Sequence, residues 1–283
     1  MTALLAVALL VAVSGEGDLP GAVAGGDEAF AAIDYRAAVE RYGGALAEDP
    51  GEPRILWRLA RAYVCMAEVE EGATRMDHLS RAEAFARECI RADSSQGEGH
   101  TWLAAALGYL ALDAETSRKL ELSAELDREA HRALAINPAD DAALSILGSF
   151  YRALGNVSWL ERTVASVFVG NVPPGGYAEA EEALTRAVAI APGVMRHRYE
   201  LGILYLDMGR KREARAMLEA AAALPVRTAI DRPRLEKIRE LLEDLRKEIN
   251  ARLASFSRIQ RLLEQREPFE KTPTQKIKRH LYV

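Results

Sequence analysis

The chain has 283 residues, enough for one large domain or two small ones, and its 49% hydrophobic and 28% charged residues are typical of a globular protein. Two cysteines, Cys65 and Cys89, exclude a disulfide framework, although the sequence leaves open whether they pair with each other. The net charge of −5 is uneven, because residues 227–283 hold 15 Lys and Arg against 9 Asp and Glu. Arg outnumbers Lys 30 to 7, which favours a bacterial source.

The N-terminus is apolar. Residues 1–14 contain the uncharged run Leu4–Val13, which is too short to span a bilayer and has the length of a signal-peptide core. We therefore expect either a signal peptide or a short hydrophobic helix, and an exported, periplasmic or membrane-associated protein in preference to a cytoplasmic one. Residues 15–26 are rich in Gly and acidic residues and are predicted to be a linker.

Five segments share the pattern Ala-x3-hydrophobic-x2-small, which places three residues on one face of a helix. Each segment ends in a residue that favours a turn, and these are Pro50, Ser94, Pro138, Pro192 and Pro225. The five sets are Ala38/Tyr42/Ala45, Ala82/Ala86/Cys89, Leu126/Ala130/Ala133, Ala180/Leu184/Ala187 and Ala214/Leu218/Ala221. This periodicity predicts an all-α fold over residues 27–226, a right-handed α-α solenoid of about five irregular helical hairpins.

A second pattern, bulky-x2-Leu-small-x2-Tyr, precedes four of these segments and predicts the first helix of each hairpin. The sets are Leu56/Leu59/Ala60/Tyr63, His100/Leu103/Ala104/Leu107, Leu144/Leu147/Gly148/Tyr151 and Arg198/Leu201/Gly202/Tyr205. The small residue lets the two helices approach closely. In these residues the chain resembles the tetratricopeptide repeat family.

The closing residues are 44, 44, 54 and 33 positions apart, whereas a regular repeat of this kind has about 34 residues. We predict inserts within three hairpins, at Glu68–Leu79, through Ser117–Leu126 of a lengthened second helix, and at Asn156–Gly176. Such inserts either mark a binding face or simply pack on the core.

The insert positions support a narrower resemblance. The chain is similar to the regulator of microtubule dynamics family in residues His100-Thr101-Trp102, Asn137-Pro138, Leu147-Gly148, Trp159, Arg162, Pro173-Pro174, Tyr177 and Ala180. The resemblance implies a tetratricopeptide-like fold, and association with microtubules and organelle membranes in eukaryotic members. It supplies no catalytic residue to match.

Residues 227–266 carry apolar residues three and four apart and are predicted to form a long C-terminal capping helix, with Asp231 as its N-cap. This helix either covers the last apolar face of the solenoid or pairs with a second copy as a coiled coil. Residues 267–283 are predicted to be a loose basic tail.

No residue pattern indicates catalysis or a cofactor. The histidines are scattered and form no paired ligand motif with cysteine, so no metal site is predicted. Glycine-rich stretches lack the Gly-Lys-Ser/Thr of a phosphate loop. We therefore predict no catalytic, cofactor-binding or metal-binding residue.

The first helices of a solenoid line its concave face, and non-core positions on them are candidates for partner binding. The candidates are Arg54, Trp57, Arg61, Thr101, Ser149, Arg152, Arg196 and Tyr199, with Glu98 and Ser145 beside them. The arginines suit an acidic segment or a C-terminal carboxylate, and the aromatic residues suit an anchoring role. The alternative is that these side chains only solvate the face.

These observations predict a non-catalytic scaffold or adaptor that binds a peptide or protein on the concave face of the solenoid. The alternative is a cytoskeleton- or membrane-associated regulator like the eukaryotic relatives. An enzyme ranks last of the three possibilities, because no arrangement of acid–base or metal-binding residues supports catalysis. We predict no nucleic-acid partner.

Overall fold

The structure is a computed structural model that describes residues 21–157 and 175–252. Within these ranges the chain forms eleven α-helices and no strand. The helices are Gly21–Ala31 (α1), Tyr35–Glu48 (α2), Pro53–Ala67 (α3), Gly72–Ala92 (α4), Gly97–Leu112 (α5), Thr116–Ile136 (α6), Asp141–Gly155 (α7), Tyr177–Ile190 (α8), Met195–Asp207 (α9), Lys211–Ala222 (α10) and Asp231–Arg252 (α11). The chain divides after Arg239 into two units.

The first unit contains the five predicted hairpins, which pair α1 with α2, α3 with α4, α5 with α6, α7 with α8 and α9 with α10. The first helices also contact one another, because α5 packs on both α3 and α7, and α7 packs on α9. These contacts place α3, α5, α7 and α9 in one row. The prediction of an all-helical solenoid is therefore confirmed.

The two sequence patterns supply the core of these hairpins. All fifteen residues of the closing-helix pattern are buried, and so are the template residues of the first helices apart from Arg198. Their burial removes apolar surface from water, which is the main force that stabilises the packed helices. The residues of both patterns therefore have the packing role that their spacing predicts.

Small and large residues complement each other inside the hairpins. A Cβ added to Gly148 would lie 2.4 Å from Cγ of Leu184, and one added to Gly202 would lie 2.9 Å from Cγ of Leu218. In the hairpins of α3–α4 and α5–α6 the matching positions hold alanine on both helices. A hairpin therefore combines glycine with a bulky residue, or alanine with alanine, and so maintains a close helix–helix distance.

The first hairpin corrects one prediction. Helix α1 begins at Gly21, within residues 15–26 that the composition predicts to be a linker. Val23 is fully buried there, and a Cβ on Gly26 would lie 2.3 Å from the ring of Tyr42. The glycine that suggests a linker is therefore a packing residue that accommodates the ring of Tyr42.

The insert of the second hairpin is mostly helical, in contrast to the predicted connection over Glu68–Leu79. Helix α3 ends at Ala67 and α4 begins at Gly72. Only residues 68–71 separate the two helices. The chain makes this short turn with a φ of +61° at Gly72, a conformation that glycine adopts without strain. The extra residues lengthen α4 to 21 residues. The insert of the third hairpin lengthens α6 to 21 residues, as the sequence predicts. Most of the insert at Asn156–Gly176 lies outside the described residues.

The segment after the fifth hairpin returns to the first hairpin. The backbone N–H of Ala229 donates a hydrogen bond of 3.0 Å to the hydroxyl of Tyr35, 194 residues away. Burial raises the pKa of Tyr35 to about 12. The carboxylate of Asp231 accepts hydrogen bonds from the backbone N–H groups of Arg227 and Thr228, and so closes the turn before α11. Asp231 is the first residue of α11 and therefore is not the N-cap that the sequence predicts.

The second unit is described from Glu240 to Arg252, where it is helical. Its side chains pair at a spacing of three residues, with Arg246 on Glu243 at 2.7 Å and Lys247 on Asp244 at 3.4 Å. The predictions for residues 1–14, for the helix beyond Arg252 and for the tail at 267–283 lie outside the described residues. Self-association through the C-terminal helix stays a prediction.

We expect Gly148→Ala to lower the free energy of unfolding by about 1–3 kcal/mol, because the added methyl group would overlap the side chain of Leu184. Urea unfolding followed by circular dichroism measures the change. Gly44→Ala is the matched control, since nothing lies within 4 Å of a Cβ at this position in α2. The control should stabilise the protein by about 0.5–1 kcal/mol. Equal effects at the two positions would contradict the packing explanation.

Both cysteines are buried as free thiols. Burial raises the pKa of Cys65 to about 11 and that of Cys89 to about 12. Since the thiolate is the reactive form, we expect neither thiol of the native protein to react with Ellman's reagent at pH ~8. Both should react promptly once the chain is unfolded in urea. Fast labelling of the folded protein would show that α3 and α4, which carry the two cysteines, open locally.

Candidate partner-binding cavity

The row of first helices contains a cavity of about 540 Å³ in the first unit. Helices α5, α6 and α7 supply its apolar walls, and α9 and the start of α11 supply charged side chains. Apolar lining residues include Ala105, Leu120, Leu126, Ile146, Phe150 and Leu154. A cavity of this size with a few polar groups is typical of a ligand-binding site.

One face of α7 supplies three polar residues of the cavity wall, namely Ser145, Ser149 and Arg152, which are four and three positions apart. Ser145 is only 1% exposed, and its Oγ has no hydrogen-bond partner in the described residues. Nη1 of Arg152 donates to Asp207 at 2.9 Å, whereas its buried Nε has no partner there. Both atoms are buried from water and unpaired among the described residues.

A network of three side chains joins the second, third and fifth hairpins next to the cavity. The hydroxyl of Tyr109 on α5 donates to Oε1 of Glu68, at the end of α3, at 2.5 Å. Nη2 of Arg196 on α9 donates to the Tyr109 hydroxyl at 2.9 Å and contacts the Glu68 carboxylate. Glu68 is almost completely buried. The network fixes helices that are distant in sequence around the cavity.

Desolvation changes the pKa of two members of this network. Burial raises the pKa of Tyr109, and burial followed by the charge of Arg234 lowers the pKa of Arg196. Arg234 is itself buried and pairs with Asp231 at 2.6 Å, while its guanidinium lies 5.6 Å from the ring centre of Tyr199. Each of these two arginines thus has a carboxylate partner.

The structure brings three of the predicted site residues together. Ser149, Arg152 and Arg196 line the cavity, and so does Ser145. Tyr199 does not line the cavity but lies beside Arg234, which does.

Three other predicted residues lie away from the cavity, on α3 of the second hairpin. Arg54 pairs with Glu52 at 2.8 Å, at the start of its own helix. Arg61 pairs with Asp27 at 3.4 Å and lies over the ring of Phe30 at 3.8 Å. Trp57 stacks against two neighbouring arginines of the same helix. Arg61 therefore joins α3 to α1, and none of the three residues lines the cavity.

Thr101, also predicted to be a partner-binding residue, lies in the core. It is 2% exposed, and its hydroxyl donates to Oδ2 of Asp140 at 2.6 Å. Asp140 also accepts from the backbone N–H of Ala143 as the N-cap of α7, and burial raises its pKa. Thr101 therefore joins α5 to the start of α7 within the core.

Sequence reasoning missed the other charged or aromatic residues of the site, which are Glu68, Tyr109, Lys119, Phe150, Glu200 and Arg234. Glu68 lies in a predicted insert and Arg234 in a predicted capping helix. Arg196 and Tyr109 are 87 residues apart, so no local spacing could indicate their contact. The one available signal was the pattern of Ser145, Ser149 and Arg152 on one helix face.

Two further properties concern only the part of the chain that the structure describes. No helix in residues 21–157 or 175–252 has the length and apolar character that a membrane crossing requires. Within the same ranges, no group of three or more His, Cys, Asp and Glu side chains has an arrangement suited to a metal ion.

Comparison with known proteins supports both the family resemblance and the helical-repeat fold. The family described as regulator of microtubule dynamics protein 1-3 matches residues 24–246. The chain is 28% identical to regulator of microtubule dynamics protein 3 of Xenopus laevis over 190 residues, which are 66% of this chain and 41% of that protein. It is 22% identical to regulator of microtubule dynamics protein 2 of Bos taurus over 198 residues, 69% of this chain and 48% of that protein.

The chain thus spans less than half the length of these curated relatives. Among solved structures, it is similar to a thermophilic TPR protein of Thermus thermophilus, with a TM-score of 0.60 and 22% identity over 80% of this chain and 100% of that chain. This similarity supports the fold. The bacterial source predicted from composition stays a prediction.

We expect Glu68→Gln to lower the free energy of unfolding by about 2–4 kcal/mol, because it leaves the partly buried Arg196 without its charged partner. Thermal and urea unfolding measure the effect. Asp77→Asn is the control, since its pair with Arg81 is more than half exposed and should be almost neutral. If the two variants were equally stable, the network would not hold the hairpins together.

Proposed function

The chain belongs to the regulator of microtubule dynamics protein 1-3 family, and from this premise we propose that it is a non-catalytic scaffold that binds a peptide or protein partner on its row of first helices. Helical-repeat proteins commonly use an extended surface of this kind to bind other proteins.

The cavity is the observation that carries this proposal. Its walls come from helices of several hairpins, and three of its polar residues lie on one face of α7. The network of Glu68, Tyr109 and Arg196 holds these walls in place before any partner binds. A preformed site loses less conformational entropy on binding than a flexible one.

A second candidate function is that of a cytoskeleton- or membrane-associated regulator. Family membership favours it, because the matched relatives carry regulation of microtubule dynamics in their names. Co-sedimentation of the purified chain with assembled microtubules and with lipid vesicles tests this function. Pelleting with microtubules but not with vesicles would favour the cytoskeletal role, and pelleting with neither would argue against this candidate.

The scaffold function predicts that a partner lies within reach of Lys119, which is exposed to solvent on the cavity wall. We expect a photoreactive benzoylphenylalanine at position 119 to form adducts with a specific protein in cells of the source organism. Gel electrophoresis and mass spectrometry detect the adducts. The control is the same amino acid at position 80, an exposed serine of α4 that is not part of the cavity. Equal adducts at both positions, or none at either, would contradict the scaffold function.

A further inference from the structure

We propose that residues 227–239, the last segment of the first unit, are an intramolecular ligand of the row of first helices, and that a helical segment of the partner displaces them. The partner helix would carry an acidic, a basic and an aliphatic side chain at the spacing of Asp231, Arg234 and Ile238. The inference rests on the proposed scaffold function and names the chemistry of its partner.

One face of this segment is buried in the first unit. Asp231, Arg234 and Ile238 are 4%, 8% and 0% exposed, and their spacing of three and four positions places them on one face of α11. The exposed residues of the same stretch are Arg232, Pro233, Glu236, Lys237 and Arg239. Helices that bind in the grooves of other proteins place their anchoring residues at the same spacing.

The segment lies beside hairpins that are distant from it in sequence. Ala229 donates its backbone N–H to the hydroxyl of Tyr35 in the first hairpin, and packs on the apolar cluster that contains Cys65 of α3. Arg234 lines the cavity, and its guanidinium lies 5.6 Å from the ring centre of Tyr199 on α9. A helix that only capped the fifth hairpin would not reach the first. The segment therefore occupies part of the row on which the partner is proposed to bind.

The segment is held less firmly than the hairpins are. Within the described residues, close helix–helix contacts link α1 to α10 with one another, and α11 packs that closely on none of them. Burial, followed by the positive charge of Arg234, lowers the pKa of Arg196, so the segment brings two like charges together. Their repulsion offsets part of the apolar contact. The segment can then detach as a local unit while the hairpins stay folded.

The buried ion pair of the segment indicates what a displacing helix must carry. Nη1 of Arg234 donates to Oδ1 of Asp231 at 2.6 Å, so the segment buries two charges that balance each other. In the neighbouring network, the carboxylate of Glu68 is already paired with Arg196. A partner arginine buried here without its own carboxylate would lose its hydration without compensation. The partner helix therefore needs an acidic residue three positions before its basic one.

The cavity gives a partner an advantage over the intramolecular segment. Arg234 forms part of the cavity wall, so the place of the segment and the cavity of about 540 Å³ adjoin. A partner that fills both would gain apolar contact with residues such as Ile146 and Phe150. This gain matters because a tethered segment competes at an effective concentration in the millimolar range.

Cys65 provides a probe for displacement of the segment. Its thiol is buried beside the Tyr35 hydroxyl, in the cluster on which Ala229 packs. Cys89 is an internal reference, since its thiol donates to the carbonyl oxygen of Pro53 at 3.4 Å, in the second hairpin. The test measures how fast N-ethylmaleimide alkylates each thiol of the full chain, with the two sites resolved by peptide mass spectrometry.

We expect Ile238→Ala to speed alkylation of Cys65 at least about tenfold, because it removes the buried aliphatic contact of the segment. The rate at Cys89 should not change. Glu236→Ala is the matched control, since it alters an exposed residue of the same helix and should change neither rate.

A peptide with the sequence of residues 225–240 tests recognition between molecules. Added at about 1 mM to the Ile238→Ala chain, it should slow alkylation of Cys65 at least about threefold, because its concentration approaches that of the tethered segment. The same peptide with Asp231→Asn or with Ile238→Lys should not protect Cys65. The first change removes the carboxylate of the buried pair, and the second places a charge in the apolar contact.

Several results would overturn the inference. These are equal acceleration at both thiols in Ile238→Ala, no acceleration at either, no protection by the peptide, or equal protection by the altered peptides. Circular dichroism checks that the Ile238→Ala chain is folded. If it is not, Tyr35→Phe replaces it, removes only the hydrogen bond from Ala229, and should speed alkylation of Cys65 about threefold.

Photocrosslinking at position 119 tests the scaffold function separately. Adducts without protection of Cys65 by the peptide would leave the scaffold function standing and overturn the inference. Protection without adducts would support the helix-binding surface and contradict a partner at the cavity. If neither experiment succeeds, both proposals are wrong.

Discussion

Close contact between the two helices of each hairpin sets the geometry of the first unit. Gly148 faces Leu184, Gly202 faces Leu218, and Gly26 faces the ring of Tyr42, with no room for a Cβ at the glycine. Each pairing fixes the distance between two helices, and the first helices then stack on one another. Because the cavity lies among the first helices, its dimensions follow from these contacts.

Buried polar contacts between distant hairpins add a second level of order. Glu68, Tyr109 and Arg196 join three hairpins, and Ala229 joins the end of the fifth hairpin to Tyr35 in the first. A repeat array with contacts only between neighbours can bend, since each interface deforms independently. Contacts that skip a hairpin restrict such bending, and they explain how a cavity with fixed walls persists in a repeat fold.

The charged residues of the site mainly orient the helices. Arg152, Arg196 and Arg234 each contact at least one carboxylate, so the positive charge that the sequence indicates is largely balanced in the structure. An acidic segment, which four arginines on a concave face suggest from sequence, would have to compete with these carboxylates for the same guanidinium groups.

The sequence alone predicts the five hairpins, because helix periodicity and turn residues are local properties that repeat along the chain. It also placed Ser149, Arg152 and Arg196 on the first helices. Tertiary structure decided that Thr101 is a core residue and that Arg61 pairs with Asp27, outside the cavity. It also brought Tyr109 to Arg196, 87 residues away. Such contacts depend on how the hairpins stack, and stacking is the sum of many small packing differences that no local pattern records.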